Sequence, residues 1–196
     1  MPLESDRLIL REERADDMEF LLGLRNDLTT QAWSKTLPPD YTEPMYRKRF
    51  EAREFSFDRA DGRFVILLKE SGERAGTISY SNVESRHSAT VGIMMAQKFW
   101  GGGYALEAQE VLLKFLFVEL GLRVVRLWTH SGNPRAVKLA EKSGFQVSAR
   151  QRESIFKDGR LFDNLSMDLL REEYFAQRTE MVDGLSADGL AADDSG

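Results

Sequence analysis

The sequence contains no cysteine and only two histidines among its 196 residues. The lack of cysteine excludes disulfides, thiolate nucleophiles and cysteine-ligated zinc sites, and two histidines form no convincing metal constellation. Long hydrophobic runs are also missing, since none approaches the roughly 20 residues that a membrane-spanning helix needs. The N-terminal segment is charged from Glu4 onward and has no signal-peptide core. A cytoplasmic protein without a membrane partner is therefore expected.

Basic and acidic side chains balance each other over most of the chain. The formal net charge is -5, and residues 179–196 contain five acidic residues and no Lys or Arg. The remaining residues carry 27 basic and 27 acidic side chains, a balance that argues against a general nucleic-acid surface. The last segment is small, acidic and rich in glycine, which predicts a mobile tail at 179–196 after a single domain at 1–178.

Hydrophobic periodicity predicts the order strand, two helices, three strands, helix, strand, helix and two strands. The strongest predicted helix covers 103–120, where its wide apolar arc favours packing on a sheet, and Gly121 provides a stop signal. A shorter helix follows Asn133, and a final hairpin is predicted around Asp158 and Gly159. No internal repeat or second core is present. The pattern indicates one α/β domain with a mixed sheet.

Three consecutive glycines separate a predicted strand from the helix at 103–120. The first N–H groups of a helix lack intrahelical partners and carry positive potential, and glycine lets an anion approach them. A tight turn without any ligand explains the glycines equally well. Rossmann spacing requires a small residue where Leu106 stands, and a P-loop requires Lys and Ser/Thr where Tyr104 and Ala105 stand. A bound anion would therefore belong to a molecule other than a dinucleotide or a nucleoside triphosphate.

Two motifs extend this pattern: FWGGGYALEA at 99–108 and RLWTHSGNPRAVKLAEKSGF at 126–145. Together they resemble the Gcn5-related N-acetyltransferase family, and more narrowly the branch of ribosomal-protein N-terminal acetyltransferases and spermidine acetyltransferases. That branch shows W-G-x-G-Y-A-x-E-A followed by N-x-x-[SA]-x-x-L-x-E-K-x-G-F at similar spacing. The resemblance covers residues 7–170. It implies a single α/β (α+β) domain, with a mixed, mostly antiparallel sheet of six to seven strands flanked by about four helices.

The resemblance also implies a site for acetyl-CoA as co-substrate, without a metal. The pyrophosphate would lie on the backbone of residues 101–105, and the pantetheine arm would pair with the end of the preceding strand. One N–H group of that strand would face the thioester oxygen. Trp100 stands where most of the wider family has Gln or Arg, although Trp is usual in this branch. The implied cofactor-binding residues are Met94, Met95, Trp100, Gly101, Gly102, Gly103, Tyr104, Ala105 and Asn133, the last of which can also cap its helix.

Two side chains that many relatives use in catalysis are missing. Ala140 stands at the position of a Tyr acid, and Thr90 stands at the position of a Glu base. His130 is the first candidate base, because imidazole titrates near neutral pH and strand alternation places it on the face of Arg126 and Trp128. Packing or solvated-turn roles are alternatives for each candidate, and Glu107 is expected to position its helix. The candidate catalytic residues are His130, Glu84, His87 and Tyr80.

Three functions remain open from the sequence. The first is an N-acyltransferase, most simply an N-acetyltransferase, in which a primary amine attacks the thioester directly. Its acceptor would be a protein N-terminus, a polyamine or a small amine, and the protein would be a monomer or a homodimer. The second is an acetyl-CoA-binding sensor or interaction domain with little turnover, which the residues at positions 90 and 140 keep open. The third is a nucleotide-binding α/β protein.

Overall fold

The computed structural model describes residues 3–31, 33, 42–54, 61–84 and 87–179. Residues 180–196, nearly all of the predicted tail, lie outside these ranges. The strands are β1 (Leu3–Glu4), β2 (Leu8–Glu12), β3 (Gly62–Leu68), β4 (Arg74–Glu84), β5 (Ser88–Met95), β6 (Val124–His130), β7 (Gln146–Lys157) and β8 (Arg160–Leu170). The helices are α1 (Met18–Asn26), α2 (Leu28–Gln31), α3 (Glu43–Glu54), α4 (Tyr104–Lys114), α5 (Pro134–Lys142) and α6 (171–179).

All eight strands form one sheet in the order β1-β2-β3-β4-β5-β6-β8-β7. Every neighbouring pair is antiparallel except β5 and β6, so the mixed, mostly antiparallel sheet is confirmed. The count exceeds the six to seven strands expected, because β1 has two residues and is too short to show alternation. The six helices likewise exceed the four expected, since α2 has only four residues and α6 follows the last predicted strand.

The two faces of the sheet are covered by different helices. Helix α4 packs on one face, here called the α4 face, where Leu112 and Leu116 are fully buried. Helices α1 and α3 contribute Leu21 and Tyr46, which pack against Val65 on the opposite face, here called the α1 face. A fully buried leucine stabilises a fold by about 1.5–3 kcal/mol. The wide apolar arc predicted for α4 therefore docks this helix on the sheet.

Helix α4 continues beyond its regular part as a π-helical segment, Phe115–Glu119. The N–H of Leu120 donates to the carbonyl oxygen of Phe115 at 3.0 Å. Gly121 then adopts a φ of 66°, and the helix ends there as predicted. In the ranges that the structure describes, no helix is both long enough and apolar enough to cross a membrane.

A buried carboxylate fixes the start of α1. Asp17 is fully buried, and its side chain accepts hydrogen bonds from the guanidinium groups of Arg11 and Arg74 at 2.8 Å and from the N–H of Arg14 at 2.8 Å. Burial opposes ionisation of Asp17, but these hydrogen bonds outweigh it and lower the pKa of the carboxyl group. The cluster ties α1 to two strands of the sheet.

Candidate active site

Strands β5 and β6 are paired only over the first three residues of each strand. The parallel pairs run from Ser88 with Val124 to Thr90 with Arg126. Beyond them, β5 stays paired with β4 as far as Met95, while β6 stays paired with β8 to its end. The two strands therefore diverge and form an opening, here called the fork. Residues 91–95 present a backbone edge to the fork that no described strand pairs, and an extended ligand can bind to such an edge.

The three glycines lie where β5 leads into α4. Gly101 has a φ of 82° and Gly103, the N-cap of α4, has a φ of 79°. These left-handed conformations explain the need for glycine. No side chain caps this end of α4, and all three glycines are exposed. The glycines thus form a tight turn and also leave the first backbone N–H groups of α4 accessible, so the two interpretations of this segment are compatible.

A charged pair joins the first turn of α4 to the β1–β2 connection. Arg7 donates from Nε to Glu107 Oε2 at 2.7 Å, and Ser5 Oγ donates to Glu107 Oε1 at 2.7 Å. Burial opposes ionisation of Glu107, yet the hydrogen bonds from Ser5 and Arg7 lower its pKa. The guanidinium of Arg7 also lies 4.5 Å from the ring centroid of Tyr104 and donates to the carbonyl oxygen of Gly102 at 3.2 Å. Glu107 positions the helix, as expected from the sequence.

Trp100 connects the glycine segment to the end of β5. Its Nε1–H donates to the carbonyl oxygen of Met95 at 2.9 Å. On the other side of the fork, α5 begins at Asn133, whose Oδ1 accepts the N–H of Ala136 at 3.1 Å. The predicted helix-capping role of Asn133 is therefore confirmed, and its Nδ2 donates separately to the carbonyl oxygen of Trp33 at 3.1 Å.

His130 lies at the end of β6 and is 2% exposed. Its Nε2 is 3.2 Å from the carbonyl oxygen of Trp33, the atom that Asn133 also contacts. A carbonyl oxygen only accepts hydrogen bonds, so Nε2 carries the proton in the neutral ring and Nδ1 is the basic atom. The ring centroid of Phe162 lies 5.6 Å from that of His130. The imidazole is thus held in place from two sides.

Strand pairing identifies the side chains that share the α1 face. Val65 pairs with Thr77, and alternation along the paired strands then places Ser81, Thr90 and Arg126 on this face. The same alternation along β6 places two further side chains on it: Trp128 and His130. Gln31 of α2 also reaches this face, since its Nε2 lies 3.7 Å from the sulfur of Met94. The α1 face near the fork therefore carries polar and aromatic side chains from β4, β5, β6 and α2.

Three of the four catalytic candidates do not reach the fork. Tyr80 lies on the α4 face, where its ring packs against Phe64 and Phe115 at centroid distances of 6.2 and 6.0 Å. His87 precedes β5, and seven residues of extended strand separate it from Met94 by about 23 Å. A third candidate, Glu84, pairs with Ser88 at the same remote end. Proximity in the sequence to the strand of the site was therefore misleading, because strand length and alternation place these side chains elsewhere.

The two positions where relatives have catalytic side chains offer no substitute. Ala140 is 1% exposed and packs in the main core. Thr90 is half-buried on the α1 face. Across the parts of the chain that the structure describes, no three His, Asp or Glu side chains are grouped so that they could hold a metal ion. The described site consists of a backbone edge, a glycine turn and the side chains at the end of β6.

Residues 7–146 match the family model of the acetyltransferase (GNAT) domain. The chain is 28% identical over 175 residues to the uncharacterized N-acetyltransferase p20 of Bacillus licheniformis, covering 88% of this chain and 97% of that protein. It is 32% identical over 173 residues to the prophage-derived uncharacterized N-acetyltransferase YokL of Bacillus subtilis, covering 86% and 93%. These matches give no support to a sensor without turnover.

The fold is also similar to a crystal structure of spermidine N-acetyltransferase from Vibrio cholerae in complex with CoA and spermine. The TM-score is 0.79 at 24% sequence identity, over 87% of this chain and 99% of that chain. The order of elements, the fork and the two linked motifs agree with the family match. The chain therefore belongs to the GNAT acetyltransferase family, among relatives named N-acetyltransferases.

Proposed function

We propose that the pantetheine arm of acetyl-CoA enters the fork between β5 and β6, and that a primary amine attacks the thioester from the α1 face. The observation that carries this proposal is the short pairing of β5 with β6, which stops after three residue pairs. The fork opens toward the glycine segment, so one extended ligand can contact both. Acetyl-CoA has this shape, with a pantetheine arm joined to a pyrophosphate.

The donor contacts proposed here are mostly backbone contacts. The N–H groups of residues 101–105 would bind the pyrophosphate, since the left-handed glycines expose them at the start of α4. The unpaired edge of β5 at Met94 and Met95 would pair with the amides of the pantetheine arm. Asn133 would add a side-chain contact from the opposite side of the fork, next to its bond to Trp33.

The proposed reaction is a direct acyl transfer. The neutral amine forms a bond from nitrogen to the thioester carbon, the carbon–sulfur bond breaks, and the sulfur leaves as the thiolate of CoA. An N–H group of Met94 or Met95 would stabilise the oxyanion that forms in between. Ala140 supplies no acid, and a thiolate of moderate basicity can leave without one. The ammonium proton that the amine nitrogen carries after attack must pass to a base or to solvent.

His130 is the proposed base, because it is the one catalytic candidate that lies beside the fork on the α1 face. The carbonyl of Trp33 fixes Nε2 as the protonated nitrogen, so the proton would have to reach Nδ1, an atom that is buried among the described residues. A general base typically accelerates such a step by about 10²- to 10⁴-fold. Tyr80, Glu84 and His87 lie away from the fork, and this supports His130 as the base.

The proposal is tested by acceptor profiling. Purified protein and acetyl-CoA are incubated with peptides that carry free N-termini, with polyamines and with aminoglycosides, and the release of CoA thiol is followed together with the mass of the product. Turnover of one class with a single added acetyl group is the expected result. Tight acetyl-CoA binding without thiol release from any class would contradict the proposed transfer.

A side chain placed on the α1 face of β5 tests the location of the attack. Gly92 is exposed on this face, and a Cβ there would meet only Ser79 Oγ at 3.7 Å. Gly92→Leu should therefore fold and block the approach of the amine, with a loss of turnover. Gly23→Leu is the matched control, since Gly23 is exposed on α1 and a Cβ there meets no atom within 4 Å. Equal turnover in both variants would place the attack elsewhere.

A further inference from the structure

Three cationic side chains surround the glycine segment: Arg7, Lys98 and Arg135. Arg7 forms an ion pair with Glu107 at 2.5 Å, and Lys98 forms an ion pair with Glu73 at 2.6 Å. For Arg135, no carboxylate among the described residues lies within ion-pair distance. Two of the three positive charges are thus matched by carboxylates of the described residues, and within those residues the third has no such partner.

Aromatic rings hold the guanidinium of Arg135. Its Cζ lies 4.5 Å from the ring centroid of Trp100 and 5.3 Å from that of Trp33. The Trp100 ring is held by its hydrogen bond to the carbonyl of Met95, and the backbone of Trp33 is held by the bond from Asn133 to its carbonyl oxygen. Contact with the face of a guanidinium leaves the N–H groups at its edge for an anion. Arg135 is exposed, so a ligand can reach these groups.

We infer that Arg135 binds the pyrophosphate of acetyl-CoA, an assignment that rests on the proposed function. Arg135 belongs to the first turn of α5, two residues after Asn133, and lies over Trp100, directly before Gly101. It therefore stands between the proposed pantetheine contact and the glycine segment, where the pyrophosphate joins the two parts of the ligand. Residues 99–106 contain no acidic or basic side chain, so the segment itself offers only backbone dipoles to an anion. Arg135 supplies the full positive charge.

Calorimetry tests this inference by comparing how the parent and Arg135→Ala bind three ligands related to the acetyl donor. The donors are CoA, 3′-dephospho-CoA, which keeps the pyrophosphate, and pantetheine, which has no phosphate. Loss of charge-assisted hydrogen bonds should weaken CoA and 3′-dephospho-CoA by the same factor, about 10- to 100-fold. Pantetheine binding should not change. Arg135→Lys should recover part of the affinity, because a lysine keeps the charge but loses the planar donor geometry.

Two outcomes would overturn the inference. Weaker binding of CoA with unchanged binding of 3′-dephospho-CoA would assign Arg135 to the 3′-phosphate, and equal weakening of all three donors would assign it a structural role. Lys98→Ala is the matched control, since it removes a nearby positive charge that Glu73 already neutralises, and CoA affinity should stay within about threefold. A parent that binds CoA but acetylates no amine would contradict the proposed transfer alone. A parent that binds no CoA would overturn both.

Discussion

The two sides of the fork are built from different kinds of chemical group. The proposed donor side consists mainly of backbone from one continuous stretch, residues 94–105, where Gly101 and Gly103 have positive φ angles. The proposed acceptor side consists of side chains from β4, β5 and β6 together with Gln31 of α2 and the carbonyl of Trp33. On the acceptor side, His130 contacts Trp33 although 97 positions separate them in the sequence.

This difference has a physical origin. A ligand that binds through backbone N–H groups requires only that the chain adopt the right φ and ψ angles, and glycine marks such a place in the sequence. A ligand that meets side chains requires several distant segments to converge, and register and face decide which side chains point to it. The donor side should therefore be sensitive to changes in backbone freedom, and the acceptor side to changes in single functional groups.

The largest expected effect tests the acceptor side at His130. His130→Ala should lower kcat/KM by about 10²- to 10⁴-fold, as loss of a general base does, while acetyl-CoA binding stays intact. The acid limb of the pH–rate profile should shift or disappear. His87→Ala should keep the parent kcat/KM, because strand length places His87 far from the fork.

His130→Gln separates chemistry from positioning. The amide N–H of a glutamine can donate to the carbonyl of Trp33, as Nε2 of His130 does, but glutamine takes up no proton near neutral pH. If His130 acts as a base, the Gln variant should have a kcat/KM as low as that of the Ala variant. Recovery of more than about a third of the parent kcat/KM by glutamine, far above what loss of a general base permits, would make His130 a positioning residue.

A second large effect concerns the support of α1, the helix on the acceptor side. Asp17→Asn removes the charge that Arg11 and Arg74 surround, and loss of the charge-assisted hydrogen bonds from these partly exposed guanidinium groups costs about 2–4 kcal/mol in the free energy of unfolding. Denaturant titration measures this loss. Asp16→Asn is the matched control, since the neighbouring side chain is exposed. Equal stability of the two variants would show that the cluster does not hold the helix.

The pH dependence of stability follows from the same carboxylate. The pKa of Asp17 is lower in the folded protein than its ordinary value. Its contribution is therefore fully present above the unfolded pKa of about 3.9 and is lost as the pH falls through the folded value. The parent should lose stability in this acidic window more steeply than Asp17→Asn. If the free energy of unfolding of the two proteins changed with pH in parallel, the lowered pKa would not belong to Asp17.

Gly103→Val tests the donor side. Valine at a φ of 79° strains the backbone and brings a Cβ to 3.4 Å from the guanidinium of Arg7, so acetyl-CoA affinity should fall. The expected loss is about 2–4 kcal/mol in binding free energy. Gly72→Val is the matched control, because Gly72 has a φ of 69° in the β3–β4 turn and lies away from the fork. Calorimetry should show weaker binding only for the Gly103 variant, and equal affinity of both would contradict the phosphate assignment.

The smallest expected effect concerns Glu107, which supports the donor side through its side chain. Glu107→Gln should lower the free energy of unfolding by about 1 kcal/mol, since the Arg7 partner is half exposed and solvent screens the pair. A shift of the melting temperature by about 2–4 °C corresponds to this loss. Glu141→Gln, at an exposed position of α5, should leave it unchanged. A tenfold loss of acetyl-CoA affinity in Glu107→Gln would show that the pair shapes the glycine segment.

Local features of the fold could be read from the sequence. The predicted helix at 103–120 forms and ends at Gly121, Asn133 caps α5, and the last hairpin turns at Asp158 and Gly159 with φ angles of 50° and 73°. Each depends on a few neighbouring residues, because capping and left-handed turns act within one or two turns of chain. The two-residue strand β1 was missed because two residues show no period.

The catalytic candidates were less predictable, since most of them depended on distant pairing. Tyr80 faces α4, and Glu84 and His87 lie at the remote end of β5, although all three flank the strand of the site in sequence. Arg135 gave no motif signal because its contacts with Trp33 and Trp100 come from two other parts of the chain. Register and chain length, which the sequence does not display, decide these positions.

By itself, the sequence determined the family, the order of the elements from β2 to β8 apart from the short helix α2, and the glycine segment of the proposed donor side, because positive φ angles and helix ends are set by neighbouring residues. Only the tertiary structure decided where β5 and β6 separate, which of the candidate side chains reach the fork and which positive charge near the glycines has no carboxylate partner within the described ranges. Those properties arise from pairing and packing between segments up to about a hundred residues apart. No local pattern encodes them, since a strand shifted by one residue presents its other face.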